Sequence, residues 1–147
     1  MRIALLLLFC AALTACGTSS HHGLSKSEYA RRADALCARY QRLASPPSPA
    51  TTTRQLARAA NRTLRLLDMT LSKLRALPLP RDEQQLAKRW LASLSRLRFD
   101  VLQLRERAEA NDLAGIHAVV APAQAHDRES LRLAARLGMH VCSRAAG

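Results

Sequence analysis

Five histidines are the first residues to weigh for chemistry, and their spacing gives them none in common. His21 and His22 stand side by side near the start, while His117, His126 and His140 are scattered toward the end. A helical metal site wants two imidazoles four apart, or a glutamate three residues before a histidine. Neither spacing occurs, and solvated surface histidines are the reading that remains. The haem attachment pattern Cys-x-x-Cys-His is also absent. The carboxylates fare no better. Asp34, Asp68 and Asp100 are isolated, Glu106 and Glu109 sit beside Arg105 and Arg107, and Asp127 and Glu129 sit beside Arg128 and Arg132 as helix-face ion pairs. General acid–base work needs two groups whose surroundings separate their pKa values, and no such pair is placed by this sequence. A phosphate-binding loop and a nucleophile elbow are both missing. The triplet Asn61-Arg62-Thr63 matches a glycosylation sequon but falls inside an expected helix. The chain therefore reads as non-catalytic, with no cofactor and no metal.

Arginine is the one charged residue type with a pattern. Arg54, Arg58, Arg62 and Arg65 recur at intervals of four, four and three, and Arg128, Arg132 and Arg136 at intervals of four. Each set makes a single row on a helix. Leu56 is offset from Arg54 by two residues, or about 200° at roughly 100° per residue, so the first row faces away from the apolar stripe. A solvated helix face is the plain reading. The sharper one is contact with anionic headgroups or an anionic wall polymer, where each basic residue contributes on the order of 1 kcal/mol. The chain carries 23 basic against 11 acidic side chains, a formal charge of +12. Such an excess favours polyanions without saying anything about fold. Aromatic residues interleaved to stack bases are missing, which argues against nucleic acid.

The cysteines must be read with the first segment of the chain. Arg2 precedes an uninterrupted apolar run, Ile3 to Leu13, which ends in small residues. A spanning helix needs about 20 apolar residues, so this run is too short to stay in a bilayer. It has the form of an export signal. Its end, Leu13-Thr14-Ala15-Cys16, resembles the lipobox of bacterial lipoproteins. The resemblance implies thioether lipidation of Cys16 and cleavage before it, giving a 1–15 signal and an extracytoplasmic protein anchored to the cell membrane. Cys10 then leaves with the signal and Cys16 is acylated. Only Cys37 and Cys142 remain as thiols, in a compartment where thiols oxidise, and a disulfide between them is expected.

These groups must be positioned by helices. Leu and Ala dominate the apolar half of the composition, and after the signal the large rings are Tyr29, Tyr40, Trp90 and Phe99. Gly17 to Gly23 is a polar, flexible tether, so that 16–24 links the lipidated cysteine to a helical domain over 25–147. Ser25-Lys26-Ser27-Glu28 fits a capping box opening the first helix. Tyr29, Ala33, Leu36, Cys37, Tyr40 and Leu43 follow on one face, until Ser45-Pro46-Pro47-Ser48-Pro49 stops it. A second helix runs from about Thr53 to Ala76 on the stripe Leu56, Ala60, Leu64, Leu67, Leu71 and Leu74. Leu77-Pro78-Leu79-Pro80 makes a stiff turn. A third starts near Arg81, with Asp82 and Glu83 in its first turn, and runs on Leu86, Trp90, Leu94, Leu97, Val101, Leu104 and Ala108 to Asn111-Asp112. The fourth spans Leu113 to Leu137, kinked or split at Pro122, and Gly138 stops it. Stripes alternating threes and fours predict an all-α, four-helix up-and-down bundle, its interior filled by Leu and Ala with little concavity.

With Tyr29 and Cys37 early, a proline-rich break between central helices, and Leu137-Gly138-Met139-His140-Val141-Cys142 at the end, the chain resembles a group of small exported helical lipoproteins of high-GC bacteria. The resemblance spans about Tyr29 to Cys142 and rests on the two cysteines and the final motif. It brings no assigned activity and no functional residues. The expectation is a cell-envelope module that meets another protein or an anionic surface. A small-ligand or metal carrier using the bundle interior is the alternative.

Overall fold

The computed structural model describes residues 23–44 and 49–144. The segment expected to be an export signal, Cys16, His21 and His22, most of the expected tether, and Ser45 to Ser48 of the proline-rich break lie outside the described residues. Four helices form: α1 (Lys26–Leu43), α2 (Thr53–Arg75), α3 (Gln84–Glu109) and α4 (Leu113–Arg136). They pack as the four-helix bundle that the apolar stripes predict.

Local chemistry sets the helix ends. At α1 the Glu28 N–H donates to Ser25 Oγ at 3.2 Å, as the capping box requires. The Glu28 side chain does not complete the box. It accepts from Arg31 and Arg32 instead, and those two guanidiniums hold its carboxyl down to about 2. Thr52 caps α2 through the Gln55 N–H, and Asp112 caps α4 through the Gly115 N–H at 2.8 Å. The α3 and α4 C-termini close with the same pair of backbone bonds. Beyond α3, Asn111 adopts φ 56° and the Asp112 N–H reaches the Arg107 carbonyl; beyond α4, Gly138 adopts φ 80° and the Met139 N–H reaches the Ala134 carbonyl. A left-handed residue is what this closure needs, and glycine and asparagine tolerate it.

Two features depart from the sequence expectation. The third helix begins at Gln84 rather than near Arg81, so Asp82 and Glu83 precede its first turn. The reason is tertiary: Leu24 pairs with Pro80 as an isolated parallel bridge, and the Arg81 N–H donates to the Leu24 carbonyl at 3.0 Å. That bond holds the chain extended where propensity would have begun a helix. The fourth helix runs through Pro122 as one element, so the chain does not split there. Pro122 removes one backbone donor, but it lies on the exposed face, where water can take the freed carbonyl of Ala118.

Contacts at the helix ends fix the up-and-down order. Lys26 at the start of α1 pairs with Glu83, just before α3, at 3.1 Å. At the opposite end Thr53 donates to Asn111 across 2.8 Å, pinning the start of α2 to the α3–α4 turn. α3 packs closely on both α2 and α4, α1 leans on α2 more lightly, and α1 makes no close backbone contact with α4. The main core lies at the end where α1 begins. Trp90, Leu74, Leu137 and Met139 are buried there around Tyr29, whose ring meets Trp90 edge-on at 6.3 Å. Such a pair adds about 0.5–1.5 kcal/mol beyond the area buried. Burial fades along α1, from Tyr29 and Ala33 at 0% exposure to Leu43 at 50%, so Leu43 is not the inward residue its spacing suggested.

Tyr29 supplies a test of this core. Its hydroxyl is buried and has no hydrogen-bond partner among the described residues, and burial pushes its pKa up to about 12. Tyr40 is pushed up too, by burial first and by the charge of Asp127 second. In the unfolded chain a tyrosine ionises near 10.0. The unfolded state thus gives up protons first, and stability falls as pH rises from 10 toward 12. Phenolate absorbance should stay low at pH 10 and rise together with loss of helical circular dichroism. Half-titration of both tyrosines at pH 10 with the helices intact would contradict this burial.

Candidate functional site

The seven row arginines stand where helical periodicity put them. Arg54, Arg58, Arg62 and Arg65 are exposed along the outer face of α2, as are Arg128, Arg132 and Arg136 along α4. The α2 row covers roughly 16 Å at 1.5 Å rise per residue. The rows are not brought together, because α2 and α4 flank α3 and make no close backbone contact with each other. The α2 row begins at the bundle end remote from Leu24.

What distinguishes these arginines is their alignment, since Arg39, Arg42, Lys73, Lys88, Arg89 and Arg144 also make no ion pair among the described residues. Among the described residues none of the seven makes an ion pair. The carboxylates are engaged elsewhere. Glu28, Asp68, Glu83, Glu106, Glu109, Asp112 and Glu129 pair with other basic side chains. Asp34 and Asp100 are occupied by backbone N–H groups and by His126. Among the described residues only Asp82 and Asp127 are left without such partners. The fold therefore consumes its acids internally, and the rows hold uncompensated charge.

Several of these pairings were not visible in the sequence. Glu129 does not pair along its own helix; it accepts from Arg96 of α3 at 3.0 Å. Asp68 pairs with Arg98 across the α2–α3 seam, and that guanidinium holds its pKa low. His126 is not a solvated histidine. Its Nδ1 lies 2.6 Å from Oδ2 of Asp100, a side chain only 6% exposed. His117 and His140 are exposed, as expected. Asp34, which looked isolated, accepts from the backbone N–H groups of His140, Val141 and Cys142 at 2.8, 2.9 and 2.9 Å. Its carboxyl gathers the segment that follows Gly138 and lays it against α1. Cys37 and Cys142 meet there, with their sulfurs at the bonding distance of 2.08 Å.

The bundle interior also departs from expectation. A cleft of about 140 Å³ opens beside the disulfide, with residues from all four helices and the C-terminal segment around it. It exists because α1 and α4 stand apart and the tail crosses between them. Leu67, Leu71, Leu94, Leu97 and Leu131 make its apolar wall, while Tyr40, Asp127 and Arg144 supply polar groups. Among the described residues no group of three or more His, Cys, Asp or Glu is placed to hold a metal ion. No helix of the described residues is long and apolar enough to cross a membrane. No family model, no curated protein and no solved structure matches the chain.

Proposed function

We propose that the protein is a non-catalytic module of the cell envelope, anchored through a lipidated Cys16, whose arginine rows hold an anionic surface or polymer. The observation that carries this reading is the pairing census. Among the described residues nine carboxylates are spoken for inside the fold, and of the basic side chains left without an ion pair these seven arginines stand in two rows. A row spaced at successive helical turns suits an extended array of negative charges. The short apolar segment ending Leu13-Thr14-Ala15-Cys16 supports the anchor, and the polar tether after it keeps the bundle near the headgroups.

Vesicle binding tests the rows. Protein freed of its acyl chains should bind phosphatidylglycerol vesicles in low salt and lose that binding steeply as salt rises, because exposed charges are screened within about 10 Å at 0.1 M. Replacing Arg54, Arg58, Arg62 and Arg65 by Gln should weaken binding at least tenfold, which is about 1.4 kcal/mol of the several that four arginines can supply. Equal affinity for neutral phosphatidylcholine vesicles would reduce the rows to a solvated face. The mass of the mature protein tests the anchor in the same preparation: an unmodified Cys16 thiol would remove it.

A further inference from the structure

We propose that the cleft between the four helices is a binding site for a small hydrophobic amine, with Asp127 as the counter-ion and the leucine wall taking the apolar part. This is independent of the arginine rows, which lie on the outer surface. The size of the cleft comes first. At about 140 Å³ it matches one six-membered ring, since an apolar cavity of roughly 150 Å³ accepts benzene. Its wall is contributed by α2, α3 and α4, through Leu67, Leu71, Leu94 and Leu131, so the apolar surface is held by three elements rather than a loop. Pockets that bind small molecules have this form: an apolar lining with few, placed polar groups.

The polar groups select the ligand's charge. Asp127 lines the cleft, is half-buried, and alone among the lining residues carries a negative charge. Its carboxyl has no ion-pair or side-chain hydrogen-bond partner among the described residues; only its backbone carbonyl is used, by Ser130 Oγ. Burial raises its pKa, and the one cation opposing that shift is Arg128, the next residue along α4. Arg144 also reaches the cleft but makes no ion pair with Asp127, and it is exposed. A carboxylate short of solvent and short of a partner gains most from a cation brought by the ligand. Tyr40 lines the same cleft, near enough for the charge of Asp127 to raise its own pKa after burial, so an amine held by Asp127 lies beside it. An anionic ligand would meet Asp127 with like charge.

Thermal unfolding of the full chain, disulfide intact and near neutral pH, separates the possibilities. The probes are 2-phenylethylamine and 3-phenylpropionate, which share a ring and a chain and differ in charge. The amine at 10 mM (about ten times a millimolar Kd) should raise Tm by about 3–6 °C, and the acid should leave it unchanged. Asp127→Asn, which keeps the side-chain shape, should lose the response to the amine. Nuclear Overhauser contacts between the amine's ring protons and the cleft leucine methyls should appear in the unaltered protein, which removes reliance on the variant. No shift with the amine, an equal shift with the acid, or a full response in Asp127→Asn would each overturn the assignment.

Discussion

Replacing Cys37 and Cys142 by Ser should lower the unfolding free energy by about 4–5 kcal/mol and Tm by roughly 10–20 °C, the largest single effect in the molecule. The two residues are 105 apart in sequence, and the chain-entropy account gives about 4.7 kcal/mol for closing a loop near 100 residues. The loss should show as destabilisation without rearrangement. Asp34 holds the His140, Val141 and Cys142 N–H groups whether or not the sulfurs are joined, and Leu137 and Met139 anchor the same segment in the core. Urea titration of the oxidised and reduced chains measures the difference. Circular dichroism at low urea should be the same for both. A difference under about 1 kcal/mol, or recovery of Cys37 and Cys142 as separately alkylated peptides without reductant, would refute the bridge. Asp34→Ala in the oxidised protein should cost far less, because the covalent link keeps the tail in reach.

The helices were legible because their signals are local. Ser25 and Asp112 are capping residues, Gly138 is a stop, and the apolar stripes repeat at three and four; each fact needs only a few neighbouring residues. Where a long-range bond decides the backbone, the reading failed. The start of α3 is set by Leu24, which lies far away in sequence, and no property of Arg81 or Asp82 announces it. Leu43 fits the α1 stripe but is half exposed, because the C-terminal segment that packs on this end of α1 meets Cys37 and Gln41 and the stripe fades beyond Tyr40.

The candidate site divides along the same line. Facing directions of the arginine rows follow from 100° per residue, so their exposure could be read in advance. Whether they lack partners could not, since that depends on where Glu129 and Asp68 turn, and both turn to α3. The cleft was missed altogether. Inward leucines predict a filled interior only if all four stripes meet, and here α1 and α4 do not close on each other. A buried pairing outside the cleft lining did leave a signal. Asp100 lies three residues after Leu97 and four before Leu104, on the inward side of α3, and such a carboxyl requires a partner from a facing helix.

That partner is His126, and its removal is the second large effect expected. Asp100 is 4% exposed, so its carboxyl has given up most of its water in exchange for the His126 ring N–H at 2.6 Å. Removing one member of a buried pair leaves the other desolvated and alone, at a cost of about 3–5 kcal/mol. The His126 side chain is 29% exposed, so water will enter part of the space that His126→Ala vacates, and about 2–4 kcal/mol is the expected loss. Asp100→Asn keeps an acceptor for the same N–H and should cost closer to 1 kcal/mol. The pair need not be worth what its disruption costs. With both residues changed, as Asp100→Leu with His126→Leu, no polar group is orphaned, and the double variant should be more stable than His126→Ala alone. Urea unfolding of the three variants orders them. If Asp100→Asn loses as much as His126→Ala, or the double variant is the least stable of all, then the Asp100–His126 contact does not govern packing between α3 and α4.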